Sequence, residues 1–167
     1  DEFGLTRAMI LKEVNGGTVK VITVGDANAD PVIRKALAIG ADSAVRINKS
    51  ATDSYTTALE ISNYIKENPA DLIIAGKESL DYNGGAVPAM IAEMLQLPLV
   101  NACIGLEIDN GNAKLSREID GGKEILSASL PLVIGGQKGL VQESELRIPN
   151  MRGIMQARTK PLQVIEP

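Results

Sequence analysis

Residues 18–48, TVKVITVGDANADPVIRKALAIGADSAVRIN, decide the fold class of this chain. The run 18–25 is β-branched and nearly all apolar, which is typical of a strand buried on both faces of a parallel sheet. Residues 30–40 have the pattern of a helix, and residues 43–48 that of a second strand. A strand, a helix and a further strand in this order are typical of a parallel βαβ unit.

Residue types at the ends of the predicted helices support the same alternation. Asp30 is a good N-cap, Pro31 fits the first helical turn and Gly40 suits the C-terminal cap. Asp53 or Ser54 is the predicted cap of the next helix. The first hundred residues therefore predict alternating helices and strands, as in a doubly wound α/β sheet.

The alternation also extends to both sides of these segments. Residues 2–14 predict a helix that brings Phe3, Met9, Ile10 and Val14 near one face. Further along the chain, Pro69 ends a helix, residues 71–76 form a strand and residues 87–96 form another helix. After residue 100, short alternating runs are separated by Asn110-Gly111 and Gly121-Gly122, which predict antiparallel hairpins. The tail is expected to hold a short helix near 151–158 and an extended end.

The composition excludes several classes of function. A net charge of −4 argues against nucleic acid as a partner, and no apolar run approaches the roughly 20 residues of a membrane span. The chain has no histidine and one cysteine, Cys103, which we expect in the core. No secretory signal is visible, and no catalytic residue or metal site is predicted. We therefore expect a cytoplasmic protein.

The loop GKESLDYNGGAVPAM, residues 76–90, is the predicted ligand site. It follows a strand, and ligands of open parallel sheets bind at the carboxyl ends of the strands. Gly84-Gly85 allow close approach of the backbone, and Pro88 suits a first helical turn whose free N–H groups attract phosphate. The alternative is an ordinary long connection. Because neither GxxxxGK[ST] nor GxGxxG occurs, the residues indicate a nucleotide site of no standard type.

Four blocks of sequence resemble those of one known family. They are TVGDANADPVIRKALAIGAD at 23–42, LIIAGKESLDYNGGAVPAMIAEMLQLPLV at 72–100, SREIDGGKE at 116–124 and RIPNMRGIMQARTKP at 147–161. In their order and spacing they resemble the β subunit of electron-transfer flavoproteins. The resemblance covers nearly the whole chain. It implies a single α/β domain over residues 1–167, with a Rossmann-like, doubly wound, mostly parallel sheet of the adenine-nucleotide-binding type and antiparallel hairpin additions in the C-terminal part.

The resemblance also implies partners and cofactors. Members of the family pair with an α subunit that holds most of one FAD, and they accept electrons from dehydrogenases such as those acting on acyl-CoA. The β subunit usually binds a structural AMP. Carried over to this sequence, with a further contact near Asp1, the AMP site consists of Val24, Gly76, Lys77, Glu78, Ser79, Leu80, Asp81, Tyr82, Asn83, Gly84, Gly85, Ala86 and Val87.

Two alternatives differ in what the predicted site holds. Bifurcating members of the family bind a second FAD, reduced by NADH, in place of AMP. Their loop carries a D-G-D-T-A-Q-V type of run, from which residues 81–87, DYNGGAV, depart at the Thr and Gln positions. AMP is therefore the favoured ligand. The other alternative is a free-standing nucleotide-binding regulator of the stress-protein type, but the glycine-rich phosphate motif usual near its C-terminus is not found here.

The resemblance further assigns residues to partner binding. They are Glu118, Glu145, Arg147 and Met151. Glu118 matches an acidic residue that reaches toward an arginine of the partner's flavin domain. Residues 145–158 match a recognition loop that docks on dehydrogenases, with Met151 as its apolar anchor. By helical periodicity we expect Ile154 and Met155 to face the core. Relative to the family, the chain lacks a central opening strand and part of the tail, so the natural protein is expected to be longer.

Overall fold

The computed structural model describes residues 2–50, 52–76, 86–136 and 138–167 of the chain. These residues form five α-helices, which are α1 (Glu2–Asn15), α2 (Asp30–Ile39), α3 (Ser54–Glu67), α4 (Ala86–Leu95) and α5 (Met151–Ala157). They also form eight strands, which are β1 (Lys20–Val24), β2 (Ser43–Ile47), β3 (Leu72–Gly76), β4 (Leu99–Asp109), β5 (Asn112–Ile119), β6 (Gly122–Ser129), β7 (Leu132–Gly136) and β8 (Leu162–Ile165). Helices and strands alternate up to β4, which confirms the predicted pattern.

The parallel strands are divided between two sheets. One has the order β1-β2-β8 and is entirely parallel. The other has the order β3-β7-β4-β5-β6, in which β3, β7 and β4 are parallel while β5 and β6 add antiparallel hairpins. Among the described residues, β1 and β3 each pair along one edge only. Side chains of β1 pack on both faces of its sheet, as predicted, with Val21 against the α2 cluster and Ile22 and Val24 against Val45 and Ile47. Most of them stay partly exposed because one edge of the strand is open, and β2, with strands on both sides, is the more completely buried strand.

Helices cover both faces of the five-stranded sheet. Ile74 and Ile134 point to the face that packs against Leu11 of α1. Ile73 and Val133, one residue away in each strand, point to the opposite face, where α4 packs. Because successive side chains of a strand alternate between faces, this arrangement makes the fold a doubly wound, Rossmann-like α/β structure.

Strand β4 pairs with a parallel strand on one side and an antiparallel strand on the other. It pairs in parallel with β7 at Leu99, Val100 and Cys103, and in antiparallel with β5 from Cys103 onward. The register shifts between Val100 and Cys103, where Ala102 has a φ of +53°. This bulge lets one strand belong to both the parallel and the antiparallel part of the sheet.

Helix α1 is confirmed, but its buried face differs from the prediction. Thr6 and Met9 are buried, whereas Val14 is exposed. At 3.6 residues per turn, Val14 lies about 140° around the helix from Met9, so the two side chains cannot share a face. Val14, the last apolar residue of the helix, therefore faces solvent.

Helix α2 begins differently from the prediction. Ala29 is its N-cap and makes no side-chain capping bond, while the carboxylate of Asp30 binds Arg46 instead. Asp26 caps the preceding 3₁₀ turn by accepting a hydrogen bond from the amide of Asn28. The prediction of Asp30 as the N-cap is therefore wrong. Asp53 does cap α3, accepting from the amide of Thr56 at 2.6 Å.

Helix α5 packs on α2 through its small residues. A Cβ at Gly153 would collide with the backbone carbonyl of Ala38, and Ala157 one turn later is buried in the same contact. This close approach turns Ile154 and Met155 outward, and their side chains are exposed. The prediction that these two residues face the core is therefore wrong, because glycine rather than the large apolar residues forms the contact face.

Two cations join the ends of α2 and α5. Arg34 donates to the carbonyls of Ala157 and Lys160, at 2.7 and 3.0 Å. Lys160 in turn donates to the carbonyls of Leu37 and Ala41, both at 2.8 Å. The last carbonyls of a helix have no partner within the helix, so these bonds satisfy groups that would otherwise be buried unpaired. We refer to this reciprocal set of bonds as the Arg34–Lys160 clasp.

Cys103 lies in the largest core cluster, as predicted. It is fully buried on β4 among Leu106, Leu115 and Leu132. Its thiol donates to the carbonyl of Gly105 at 3.2 Å, and burial raises the pKa of the thiol. The residue is a free, inert core thiol.

Asp42 links α1 to the segment before β2. Its carboxylate binds Lys12 at 2.6 Å and accepts from the amide of Val19 at 2.8 Å. Burial opposes ionisation, but these hydrogen bonds outweigh it and hold the pKa of Asp42 below its ordinary value of 3.8. A carboxylate with a lowered folded-state pKa adds stability above its unfolded-state pKa and loses it as the pH falls through the folded-state value.

We predict that Asp42→Asn lowers the free energy of unfolding at pH 7 and flattens its decrease below pH 4. The variant lacks the ionised group whose loss contributes to acid destabilisation. Urea unfolding between pH 7 and pH 3 measures both effects. Asp71→Asn, which removes an exposed carboxylate without an ion pair to any described residue, is expected to change stability at pH 7 less. Equal pH profiles for wild type and Asp42→Asn would contradict the prediction.

We also predict that Gly153→Ala destabilises the fold by about 1–3 kcal/mol, because the new methyl group must displace α5 from the carbonyl of Ala38. In an exposed helix the same change would stabilise the protein by about 1 kcal/mol. The sign of the change in the free energy of unfolding therefore shows whether α5 and α2 are in close contact. Urea unfolding gives the free energy. Gly122→Ala is the control, since a Cβ there has nothing within 4 Å. A stabilised Gly153→Ala variant would show that the helices do not pack this closely.

Candidate functional site

Small residues occupy the carboxyl ends of β3 and β7, where Gly76 is partly exposed and Gly135 and Gly136 are buried. Gly76 pairs with Gly136, and Ala75 pairs with Gly135. The side chain of Asn101 lies against Gly135, and its Oδ1 is buried without a hydrogen bond to any described residue. A ligand at this edge would contact backbone directly and could donate a hydrogen bond to Asn101.

The predicted nucleotide loop joins this edge to α4. Gly76 ends β3, as predicted, and α4 begins at Ala86, one residue before the predicted start at Val87. Ala86 is exposed and Val87 is partly buried against Ile91 and its neighbours. The other predicted contacts of the loop lie outside the described residues; they are Lys77, Glu78, Ser79, Leu80, Asp81, Tyr82, Asn83, Gly84 and Gly85.

Val24, the remaining predicted contact, ends β1 and is buried against Val45 and Ile47. The next residue, Gly25, is held by Arg46, whose Nη1 donates to the Gly25 carbonyl at 3.1 Å. Val24 and Gly76 therefore end strands of two different sheets.

Arg46 is the centre of a polar network at the carboxyl end of the three-stranded sheet. The residue is 6% exposed, and its Nε donates to Asp30 Oδ1 at 2.7 Å. Its Nη1 also donates to Asn48 Oδ1 at 2.9 Å, and Asn48 donates to Glu166 at 2.9 Å. The network joins β2, β8 and the start of α2. This network was not predicted from the sequence. A single arginine inside the apolar strand SAVRI is the feature that indicates it, because a buried charge needs polar partners.

Among the predicted partner-binding residues, Glu118 lies on β5. It is exposed and stands opposite Lys123 of β6. The turn of this hairpin is Asp120-Gly121, with Gly122 already the first residue of β6. The carboxylate therefore stands near a hairpin tip. Its neighbour Arg117 lies in one row with Cys103 and Gly136, so Glu118 is two strands from the glycine end of β7.

Glu145 and Arg147 have partners within the chain. Glu145 accepts a hydrogen bond from the amide of Gln142 at 3.1 Å and so caps a short 3₁₀ turn. Arg147 binds both carboxylate oxygens of Glu13 at 2.8 and 2.9 Å, and its amide donates to the buried Thr6 hydroxyl at 3.2 Å. The hydrogen bond from Arg147 lowers the pKa of Glu13. These contacts fasten the segment to α1.

Directly after this attachment, the chain exposes large apolar side chains. Ile148 is 79% exposed and Met151, the first residue of α5, is 75% exposed. Asn150 caps α5 by accepting from the amide of Gly153 at 2.7 Å. The predicted anchor Met151 is thus presented on an ordered segment between the Arg147 attachment and the Gly153 contact.

The described ranges contain no group of three or more histidine, cysteine, aspartate or glutamate side chains able to hold a metal ion. Within the same ranges, no helix has the length and apolar character needed to cross a membrane.

Comparison with known families decides the assignment. The sequence pattern described as the electron transfer flavoprotein domain matches residues 1–167. The chain belongs to the electron transfer flavoprotein family. The resemblance inferred from the four sequence blocks is thereby confirmed.

Individual relatives within the electron transfer flavoprotein family agree with this assignment. The chain is 36% identical over 170 residues to the electron transfer flavoprotein subunit beta of Bacillus subtilis, covering 99% of this chain and 65% of that protein. It is 37% identical to the subunit beta of Syntrophomonas wolfei, covering 97% and 64%. It is 30% identical to subunit CarD of the caffeyl-CoA reductase–Etf complex of Acetobacterium woodii, covering 98% and 63%. The chain thus spans slightly under two-thirds of the length of these relatives.

We predict that Asp30→Ala destabilises this electron transfer flavoprotein chain by about 1–3 kcal/mol, because it leaves the buried Arg46 guanidinium short of a partner. Adding Arg46→Met in the same chain removes the unpaired charge. The double variant is therefore expected to be more stable than Asp30→Ala alone. Urea unfolding of the wild type, both single variants and the double variant forms the test; additive effects would show that the two residues are not coupled.

Proposed function

We propose that this chain is the nucleotide-binding part of the β subunit of an electron-transfer flavoprotein. In this role it carries electrons as one half of a heterodimer, binds AMP and performs no bond chemistry of its own. The observation that carries the proposal is the match of the whole chain to the family, together with relatives named subunit beta. The bacterial source of these relatives supports a cytoplasmic location.

The geometry around the predicted loop supports AMP as its ligand. The loop leaves β3 at Gly76, beside the Gly76–Gly136 pair, and enters the ten-residue helix α4 at Ala86. An adenine nucleotide would lie against the partly exposed backbone at Gly76, with its phosphate near the first amides of α4. Val24 would supply an apolar contact from the end of β1.

The proposal assigns Glu118 to the α subunit. An exposed carboxylate near the tip of a two-stranded hairpin is well placed to reach another subunit. A charge-assisted hydrogen bond to an arginine of the flavin-holding subunit would orient that subunit and its FAD relative to this chain.

Docking of dehydrogenases, including those acting on acyl-CoA, is assigned to the segment 145–158. Its attachment to α1 through Arg147 and its exposed Met151 support this role. A flexible thioether on an ordered segment suits insertion into an apolar pocket of another protein.

A second candidate is a bifurcating β subunit, in which the loop holds a second FAD reduced by NADH. The relative from the caffeyl-CoA reductase–Etf complex, at 30% identity, favours it. The sequence DYNGGAV at 81–87 favours AMP instead, since it departs from the bifurcating type of loop.

Identification of the released nucleotides tests both candidates. Full-length β subunit is co-purified with its α partner and denatured, and AMP and FAD are quantified by chromatography. We expect one AMP and one FAD per heterodimer. Two FAD and no AMP would establish the bifurcating alternative, and no adenine nucleotide from the β subunit would refute both.

A variant locates the nucleotide in the predicted loop. Gly85→Val adds a branched side chain where the proposal requires close backbone approach. We expect it to lose most of the AMP while keeping the FAD of the α subunit. Gly122→Val is the matched control, because a side chain there points into open space. Unchanged AMP content in Gly85→Val would place the nucleotide elsewhere.

A further inference from the structure

Exposed apolar side chains are concentrated on α2 and in the segment 148–155. The described residues include ten large apolar side chains that are exposed, and five of these lie on α2 or between residues 148 and 155. They are Val32, Ile148, Met151, Ile154 and Met155. Single exposed apolar residues are normal, but a group of this size on neighbouring elements indicates an interaction surface.

A groove of about 550 Å³ lies between α2 and α5. Its apolar wall includes Pro31 and Ala38 of α2, and Ile154 of α5. Its cations are Lys35 and Arg158, one from each side, with Arg34 held nearby in the Arg34–Lys160 clasp. Side chains of both helices therefore form one concave surface that is apolar in part and positively charged in part.

The positive charge of this face is largely unneutralised. Arg152 and Arg158 form no side-chain hydrogen bond or ion pair with any other described residue. Lys35 has a single contact with a carboxylate, at 3.6 Å from Glu2 Oε1, and both side chains are exposed. Asp30, at the start of α2, is already bound to Arg46. In a chain of net charge −4, this is a local excess of cations beside apolar surface.

We propose that the α2–α5 groove binds a protein segment in which carboxylates flank a large apolar side chain. The apolar side chain would lie between Pro31 and Ile154. A neighbouring carboxylate would lie between Lys35 and Arg158, where each cation can donate a charge-assisted hydrogen bond. A basic segment of the same shape is repelled by these cations, so the surface selects its partner by charge as well as by shape.

This inference deepens the docking role given above and rests on it for the identity of the partner, a dehydrogenase. It adds two elements to that role. Helix α2 supplies half of the docking surface through Pro31 and Lys35, and the partner must be acidic at the point of contact. Met151 would then act at the rim of a groove rather than as an isolated anchor.

Peptide binding tests the groove directly. The protein is the full-length β subunit in complex with its α subunit, and the probe is a labelled helical peptide with a leucine face flanked by glutamates. Fluorescence anisotropy is expected to show binding that weakens with salt and falls about tenfold or more in Arg158→Glu and in Lys35→Glu. A peptide with lysines in place of the glutamates is expected not to bind.

Lys66→Glu is the matched control, because it makes the same charge change at an exposed position of α3, and its binding should equal that of the wild type. Failure of the glutamate peptide to bind wild type, or equal binding by Arg158→Glu, Lys35→Glu and wild type, would overturn the inference. Unchanged FAD content of each variant verifies that the complex is assembled.

A second readout separates this inference from the proposed function. Reduction of the bound flavin by an acyl-CoA dehydrogenase is followed in the same variants, and we expect it to slow in Arg158→Glu but not in Lys66→Glu. If the peptide binds as expected but no dehydrogenase reduces the wild-type flavin, the groove stands and the docking role fails. If reduction is equally fast in every variant and the peptide does not bind, the docking role stands and the groove assignment is overturned.

Discussion

The clasp between Arg34 and Lys160 is the constraint on which the C-terminal third of the structure depends. Each cation donates to two carbonyl groups of the other's segment, at distances of 2.7 to 3.0 Å. Because it satisfies carbonyls that the helix ends leave unpaired, α2 and α5 can pack with their ends together. The chain then leaves the clasp at Pro161 and pairs β8 with β2. The exposed apolar residues of α5 and the groove beside them follow from this placement.

Local signals predicted much of the fold. Alternating apolar runs predicted the strands, Asp53 predicted the start of α3, and Asn110-Gly111 predicted the first hairpin turn, where both residues have positive φ. The wrong predictions of helix faces share a physical cause. Val14, Ile154 and Met155 are apolar residues whose orientation is decided by a neighbouring element, and sequence periodicity does not specify which face that element will cover. At α5 the small Gly153 selects the contact face, against the usual preference for large apolar residues.

Some parts of the candidate site could be predicted from the sequence, and others could not. The strand end at Gly76 was predicted from the residues alone and the start of α4 was predicted one residue late, since both follow from the pattern of a parallel sheet. The network of Arg46, Asp30 and Glu166 was not, because it joins residues far apart in sequence that only the folded sheet brings together. The contribution of α2 to the groove was missed for the same reason, since Lys35 looks like any exposed helix residue until α5 is in place.

The buried thiol of Cys103 has a practical consequence. It is the only cysteine of the chain, it is fully inaccessible, and it lies on β4 at the residue that pairs with both β7 and β5. A thiol reagent can modify it only when this strand junction opens, since the thiolate must reach water to react. The rate of modification under native conditions therefore reports how often the junction between the parallel and antiparallel parts of the sheet separates, and it does so without any engineered label.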